Sequence, residues 1–160
     1  MPATILRKHL TSLFIVVLAT LALMISLVAP AEAASKRARQ IQHAVSVAHH
    51  QKGDLYRYGA NGPRRFDCSG LVQYSYGRAG IRVPRTSDSQ ARSARRIKRR
   101  NMRKGDLMFF HRRGNVYHVG IFAGRSHGRP RMVHAPSTGK RVQVSSPWTR
   151  RWFAGTLRRR

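Results

Sequence analysis

Hydrophobic residues change their spacing several times along this chain, and each change marks a part of it. From Leu13 to Ala29 the chain is almost wholly apolar, interrupted by Thr20 and Ser26. From Ala34 to Lys52, Ala38, Ile41, Val45 and Ala48 recur at helical spacing, and Gly53 stands where such a helix would end. A loop rich in Gly, Pro and Arg, Tyr56 to Phe66, leads to Asp67, a good helix N-cap. After it Leu71, Val72, Ser75 and Ala79 form a second helical face, closed by Gly80. Residues 82–104 are polar and basic. Short apolar or alternating runs follow at Asp106 to Phe110, Val116 to Ala123, Arg131 to His134 and Arg141 to Val144. Each is bounded by Gly, Pro, Asn or charge, as antiparallel strands are. Helices first and strands after predict an α+β domain with the helices against a small antiparallel sheet.

The first apolar run changes the picture at the N-terminus. Arg7 and Lys8 precede it and Ala31-Glu32-Ala33 follows it, the order of a secretion signal with cleavage after Ala33. Its 17 residues are marginal for a membrane span, so an uncleaved anchor is the weaker alternative. Residues 34–160 then form the mature chain, enough for one small domain, expected to be a secreted or wall-associated monomer.

Charge is extreme. The chain has 32 Lys and Arg against 5 acids, and losing Arg7, Lys8 and Glu32 with the leader only moves the formal charge from +27 to +26. Self-repulsion on that scale is relieved by polyanions, so anionic cell-wall polymers are candidate partners for the basic surface. Arginine, 26 of the 32 basic residues, suits such oxyanions. The four remaining acids, Asp54, Asp67, Asp88 and Asp106, leave no Glu for a His-Glu-x-x-His zinc peptidase. They also leave few choices for a glycosidase carboxylate pair.

The single cysteine, Cys68, can form no internal disulfide, which in an exported chain needs another reason. Directly after the Asp67 cap it sits on the first turn of a helix, where free backbone N–H groups and the helix dipole favour a thiolate nucleophile. Such chemistry needs a base. His43, His49 and His50 fall on the first helix and His111 and His127 beside turns, and all five are expected at the surface. His118 interrupts the apolar run Val116 to Phe122, and His134 ends the next strand, so these two lie near the core. Two inward histidines and a helix-start cysteine fit triad logic, with Cys68 attacking, His118 as base and His134 orienting it. A zinc site from the same three residues lacks a short-spaced ligand pair, so neither metal nor cofactor is expected.

Several blocks in order carry a resemblance. Tyr56-Arg57-Tyr58-Gly59, Phe66-Asp67-Cys68-Ser69-Gly70-Leu71-Val72, Pro84-Arg85-Thr86-Ser87, Gly105-Asp106-Leu107, His118-Val119-Gly120-Ile121 and Val133-His134-Ala135 resemble the NlpC/P60 cell-wall peptidases, as does Trp152-Phe153-Ala154-Gly155. The resemblance implies a papain-like α+β fold and hydrolysis of peptidoglycan stem peptides through a thioester. The bond it implies is D-γ-glutamyl to a diamino acid, commonly meso-diaminopimelate. It places Cys68, His118 and His134 at the family's nucleophile, base and third position. Tyr56, Asp67, Ser69, Arg85 and Ser87 match substrate-pocket positions, although an N-cap role for Asp67 and loop roles for Arg85 and Ser87 compete. Ala60 departs from the family's usual second glycine, at the border of the cleft.

Two other readings use the same chain differently. A polyanion-binding protein, for wall polymer or nucleic acid, would rest on residues 92–104 and the Arg158-Arg159-Arg160 tail and would need neither Cys68 nor the histidines. With the enzyme reading, nucleic acid is not an expected partner. An amidase or acyltransferase on the same scaffold would keep Cys68 and change the bond. Ser137-x-x-Lys140 imitates a penicillin-binding motif, but it sits in a Pro/Gly turn and lacks a Lys-Thr-Gly partner.

Overall fold

The helical spacing before Gly53 becomes α1, residues 34–50, in the computed structural model, which describes residue 32 and residues 34–158. The expected leader lies outside the described residues apart from Glu32, as do Arg159 and Arg160 of the basic tail. The architecture below is that of the unit Ala38–Arg159. Among the described residues no helix is long and apolar enough to cross a membrane.

After α1 come two very short strands, β1 (Leu55–Tyr56) and β2 (Arg65–Phe66), paired in parallel. Next are α2 (Cys68–Arg78), α3 (Ser87–Ser93) and β3 (Arg95–Ile97). The remaining strands are β4 (Leu107–Arg112), β5 (Asn115–Ser126), β6 (Arg129–His134), β7 (Gln143–Ser145) and β8 (Trp152–Thr156). They form one antiparallel sheet in the order β3-β8-β4-β5-β6-β7. The α+β expectation, helices on a small antiparallel sheet, therefore holds.

Alternation along the strands divides the apolar residues between two faces. Leu107, Phe109, Val119, Ile121 and Val133 share one core with Ile41, Val45, Leu71, Val72 and Tyr76 of the helices. The intervening residues Met108, Phe110, Phe122, Met132, Trp152 and Ala154 make a second cluster on the opposite face. α2 and α3 both pack on β5, so the start of α2 is held against the strand that bears His118.

Two stretches differ from the sequence expectation. The basic run 82–104 contains α3 and β3, and the loop 56–66 runs from the second residue of β1 to the end of β2. β3 is an edge strand whose arginines face solvent, so it has no apolar alternation to betray it, and its charges discourage further strand pairing. Arg141 makes only a bridge to Leu55, and the last paired stretch before β8 is Gln143–Ser145.

Candidate active site

Asp67 places Cys68. Its backbone is extended (φ −91°, ψ 177°), and its Oδ1 accepts the Gly70 N–H at 2.7 Å, which makes Cys68 the first residue of α2. Gly70 is required there because a Cβ would lie 2.1 Å from the Ala60 carbonyl oxygen. That same oxygen accepts the Asp67 N–H at 2.8 Å. The first turn of α2 is thus clamped onto the loop that precedes it.

Two influences compete at the sulfur. Burial pushes the Cys68 thiol above its ordinary value and prevails, with the Asp67 charge adding to it. The N–H groups of Val119, Ser69 and Cys68 itself oppose it by favouring the thiolate. Val119 is the residue after His118, so β5 delivers an amide to the sulfur, while the His118 ring itself packs against Phe110, His134 and Trp148.

His118 and His134 are both buried, at 4% and 2% exposure. His118 Nε2 lies 2.9 Å from His134 Nδ1, with the rings perpendicular. His134 Nε2 lies 2.8 Å from Ser145 Oγ. Among the described residues His118 Nδ1 makes no hydrogen bond, and none joins it to Cys68. Burial, and then the neighbouring His134, holds the His118 pKa at about 3. Burial, and then Lys140, holds that of His134 at about 4. Both rings are therefore neutral at pH 7.

Trp148 covers this pair. It stacks on Phe110 (4.4 Å between centroids, 5° between planes), lies at an angle to His118 (5.1 Å, 66°) and stacks on His134 (5.7 Å, 25°). Its own outer side is half exposed.

A groove of about 420 Å³ opens at Cys68. Tyr56, Asp67, Ser69, Arg85 and Ser87, the five residues singled out from sequence beside the cysteine, all line it, together with Tyr58, Thr86 and Tyr117. The Asp67 carboxylate is saturated. Oδ1 accepts from Gly70 N, Ser69 Oγ (3.2 Å) and Arg85 Nη1 (2.9 Å), and Oδ2 accepts from Gly59 N (2.9 Å) and Arg85 Nη2 (2.5 Å). Burial pushes Asp67 upward, but the Arg85 hydrogen bonds and the Gly70 N–H outweigh it and hold the carboxyl below its ordinary value. Asp67 is thus an N-cap and an ion-pair partner at once. Ser87 donates to the Val116 carbonyl at 2.8 Å, tying α3 to β5. Tyr56 is pushed up, by burial first and then by Cys68, and keeps its hydroxyl proton.

The other histidines divide. His43, His50 and His127 are exposed, while His49 and His111 are half-buried, a correction for both. The His111 ring lies 5.9 Å from Phe153, which is why the end of β4 shields it. Asp106 is buried and closes the turn before β4, its N–H donating to the Arg103 carbonyl at 2.9 Å. It accepts the Arg103 N–H at 2.6 Å and pairs with Arg158 at 3.6 Å. Ser145, Trp148 and Tyr117 escape sequence reasoning. Ser145-Ser146-Pro147-Trp148 reads as a polar turn, and only the lone aromatic in it offers a signal. Among the described residues no group of three or more His, Cys, Asp or Glu is placed to hold a metal ion.

Known proteins match this geometry. Residues 53–160 match the model of the NlpC/P60 family. The murein DD-endopeptidase MepH of Escherichia coli is 38% identical over 117 residues, covering 67% of this chain and 42% of that protein. The bifunctional muramidase/DL-endopeptidase CwlT of Bacillus subtilis is 38% identical over 95 residues, 55% of this chain and 27% of that one. The peptidoglycan hydrolase RipB of Mycobacterium tuberculosis shares the fold (TM-score 0.69, 23% identity, 79% of this chain and 68% of that one). The chain spans between 17% and 48% of the length of the curated relatives it matches. With the match reaching from Gly53 through both histidine strands to the end, the chain belongs to the NlpC/P60 family.

Proposed function

We propose that this protein is a secreted cysteine peptidase that cuts peptidoglycan stem peptides at the D-γ-glutamyl–diamino acid bond. The observation that carries the reading is the histidine pair. His118 Nε2 is committed to His134, while Nδ1 stays free on the residue next to the amide that reaches the Cys68 sulfur.

In this reading His118 Nδ1 takes the Cys68 proton as sulfur attacks the scissile carbonyl carbon. The developing oxyanion is met by the Cys68 N–H at the start of α2. The C–N bond then breaks, His118 returns the proton to the leaving amine, and a thioester remains. Water, deprotonated by His118, attacks the thioester, releasing the acid and restoring the thiol. Tyr56, Ser69, Ser87 and the Asp67–Arg85 pair shape the pocket that positions the stem. The relatives include both D,D and D,L endopeptidases, so the bond is the point to test.

The experiment is mass spectrometry of fragments released from purified peptidoglycan by residues 34–160, beside Cys68→Ala. Ends at D-glutamate and the diamino acid, absent from the control, are expected. Ends at D-alanyl cross-links would move the bond. Undiminished release by folded Cys68→Ala would overturn the cysteine mechanism.

A further inference from the structure

A second groove is lined by Trp148 but by neither histidine. It holds about 350 Å³, with walls of Pro130, Pro147, Trp148 and Trp152 and a rim of Arg99, Arg129 and Arg150. Arg99 is built in rather than loose. Its guanidinium stacks 4.0 Å over the Trp152 ring and donates to the carbonyls of Trp152 and of Arg150, the latter at 2.7 Å.

Among the described residues no carboxylate balances this cluster. Their three salt bridges are Arg85–Asp67, Arg92–Asp88 and Arg158–Asp106, and none reaches the groove. Arg125 adds another cation by donating to the Arg99 carbonyl oxygen at 3.4 Å, and Arg96 lies next to it over Phe153. Burial first, and then the like charges of Arg150 and Arg96, lowers the Arg99 value. A fold that spends stability to hold several guanidinium groups around an apolar trough recovers it when an anion enters.

The geometry points to a binding groove for a linear phosphodiester polymer, with the arginines on successive phosphates and the Trp–Pro walls against the apolar faces of the linking units. Guanidinium groups match phosphate oxygens in a planar fork, and several in a row suit a repeating charge better than a single ion. An anionic wall polymer without bases shares the compartment of this family's substrate. The choice of a wall polymer rests on the proposed action at the wall, while the groove itself includes neither Cys68 nor the histidines. It would hold the enzyme on the wall through a face that leaves the Cys68 groove open.

Both tryptophans of the chain line this groove, so intrinsic fluorescence reports on it directly. The Cys68→Ala protein is titrated with poly(glycerol phosphate), with polyglutamate and with oligothymidylate. A fluorescence change is expected with the glycerol polymer. The double substitution Arg129→Ala/Arg150→Ala is expected to weaken that binding at least tenfold and to lower the salt slope by about one to two, one for each phosphate no longer neutralised. Both side chains are exposed, and unchanged melting temperatures will verify that the fold persists. The control Arg78→Ala/Arg82→Ala removes the same charge from another face and should change the affinity less than twofold. Equal weakening by the control would reduce the effect to net charge and overturn the site. So would binding without a fluorescence change, or tighter binding to polyglutamate or oligothymidylate.

Discussion

His118 and His134 meet through one nitrogen each, Nε2 to Nδ1 at 2.9 Å, and the far nitrogen of His134 ends on Ser145 at 2.8 Å. For His118 Nδ1 to hold the lone pair a base needs, its Nε2 must carry the proton. His134 Nδ1 must then accept it, and His134 Nε2–H must donate to Ser145 Oγ. Ser145 therefore supplies the acceptor that this relay needs two rings away. Ser145→Ala deprives a partly buried N–H of that acceptor, a cost of about 1–3 kcal/mol. We expect kcat to fall about tenfold to a hundredfold with KM nearly unchanged, and Ser145→Thr to restore most of it. Steady-state kinetics on a defined stem peptide check this, and a wild-type kcat in Ser145→Ala would remove Ser145 from the relay.

Acid should unfold this domain early. The folded values of His118 and His134, about 3 and about 4, lie below the value of 6.5 that each takes when exposed. Between those limits the unfolded chain binds protons that the folded chain refuses, so stability is intact above pH 6.5 and drains away as pH falls toward 4. The His134 shift alone corresponds to about 3 kcal/mol. Asp67, held below its ordinary value, adds a further loss only at lower pH, as its carboxylate protonates. Melting curves from pH 7.5 to 4 should show a steep fall in Tm for the wild type and a shallower one for His134→Asn. Equal slopes would contradict the burial account.

Trp148 supplies part of that burial. It lies against both imidazoles and is itself the layer between them and solvent. Trp148→Ala admits water, so both rings should titrate closer to 6.5, and His118 becomes cationic at a higher pH. The acid limb of kcat/KM is expected to move up by about one pH unit, while Trp148→Phe, which keeps a flat ring, moves it far less. A pH–rate profile unchanged by Trp148→Ala would assign the shielding to Phe110.

How much of this site could be read beforehand depended on whether its cause was local. The Asp67 cap and the placement of Cys68 at a helix start are set by four consecutive residues, so they were legible. His118 and His134 stood out because each interrupts an apolar strand, and antiparallel pairing of β5 with β6 brings them together. The clamp of Arg85 on Asp67 spans 18 residues, and the seat of Trp148 on the histidines spans 30 and 14, and no periodicity records such contacts. β3 and α3 were hidden for another reason. β3 is an arginine-rich edge strand paired by backbone alone, with exposed side chains that carry no pattern, while α3 buries the polar Gln90 rather than an apolar stripe.

Cys68 reactivity offers a test of the resting state. Burial outweighs the three amides at the sulfur, and His118 is neutral, so the two residues stand as a thiol and an imidazole rather than an ion pair. Alkylation by iodoacetamide depends on the thiolate fraction. Its rate should therefore be slow at pH 7 and keep rising beyond pH 9, with no plateau between pH 4 and 8. His118→Ala should leave that profile almost unchanged while abolishing turnover. Ionisation would then be a consequence of substrate binding, which fills the groove and brings His118 Nδ1 to bear on the sulfur. A rate plateau at acid pH that vanishes in His118→Ala would instead place a thiolate–imidazolium pair in the free enzyme.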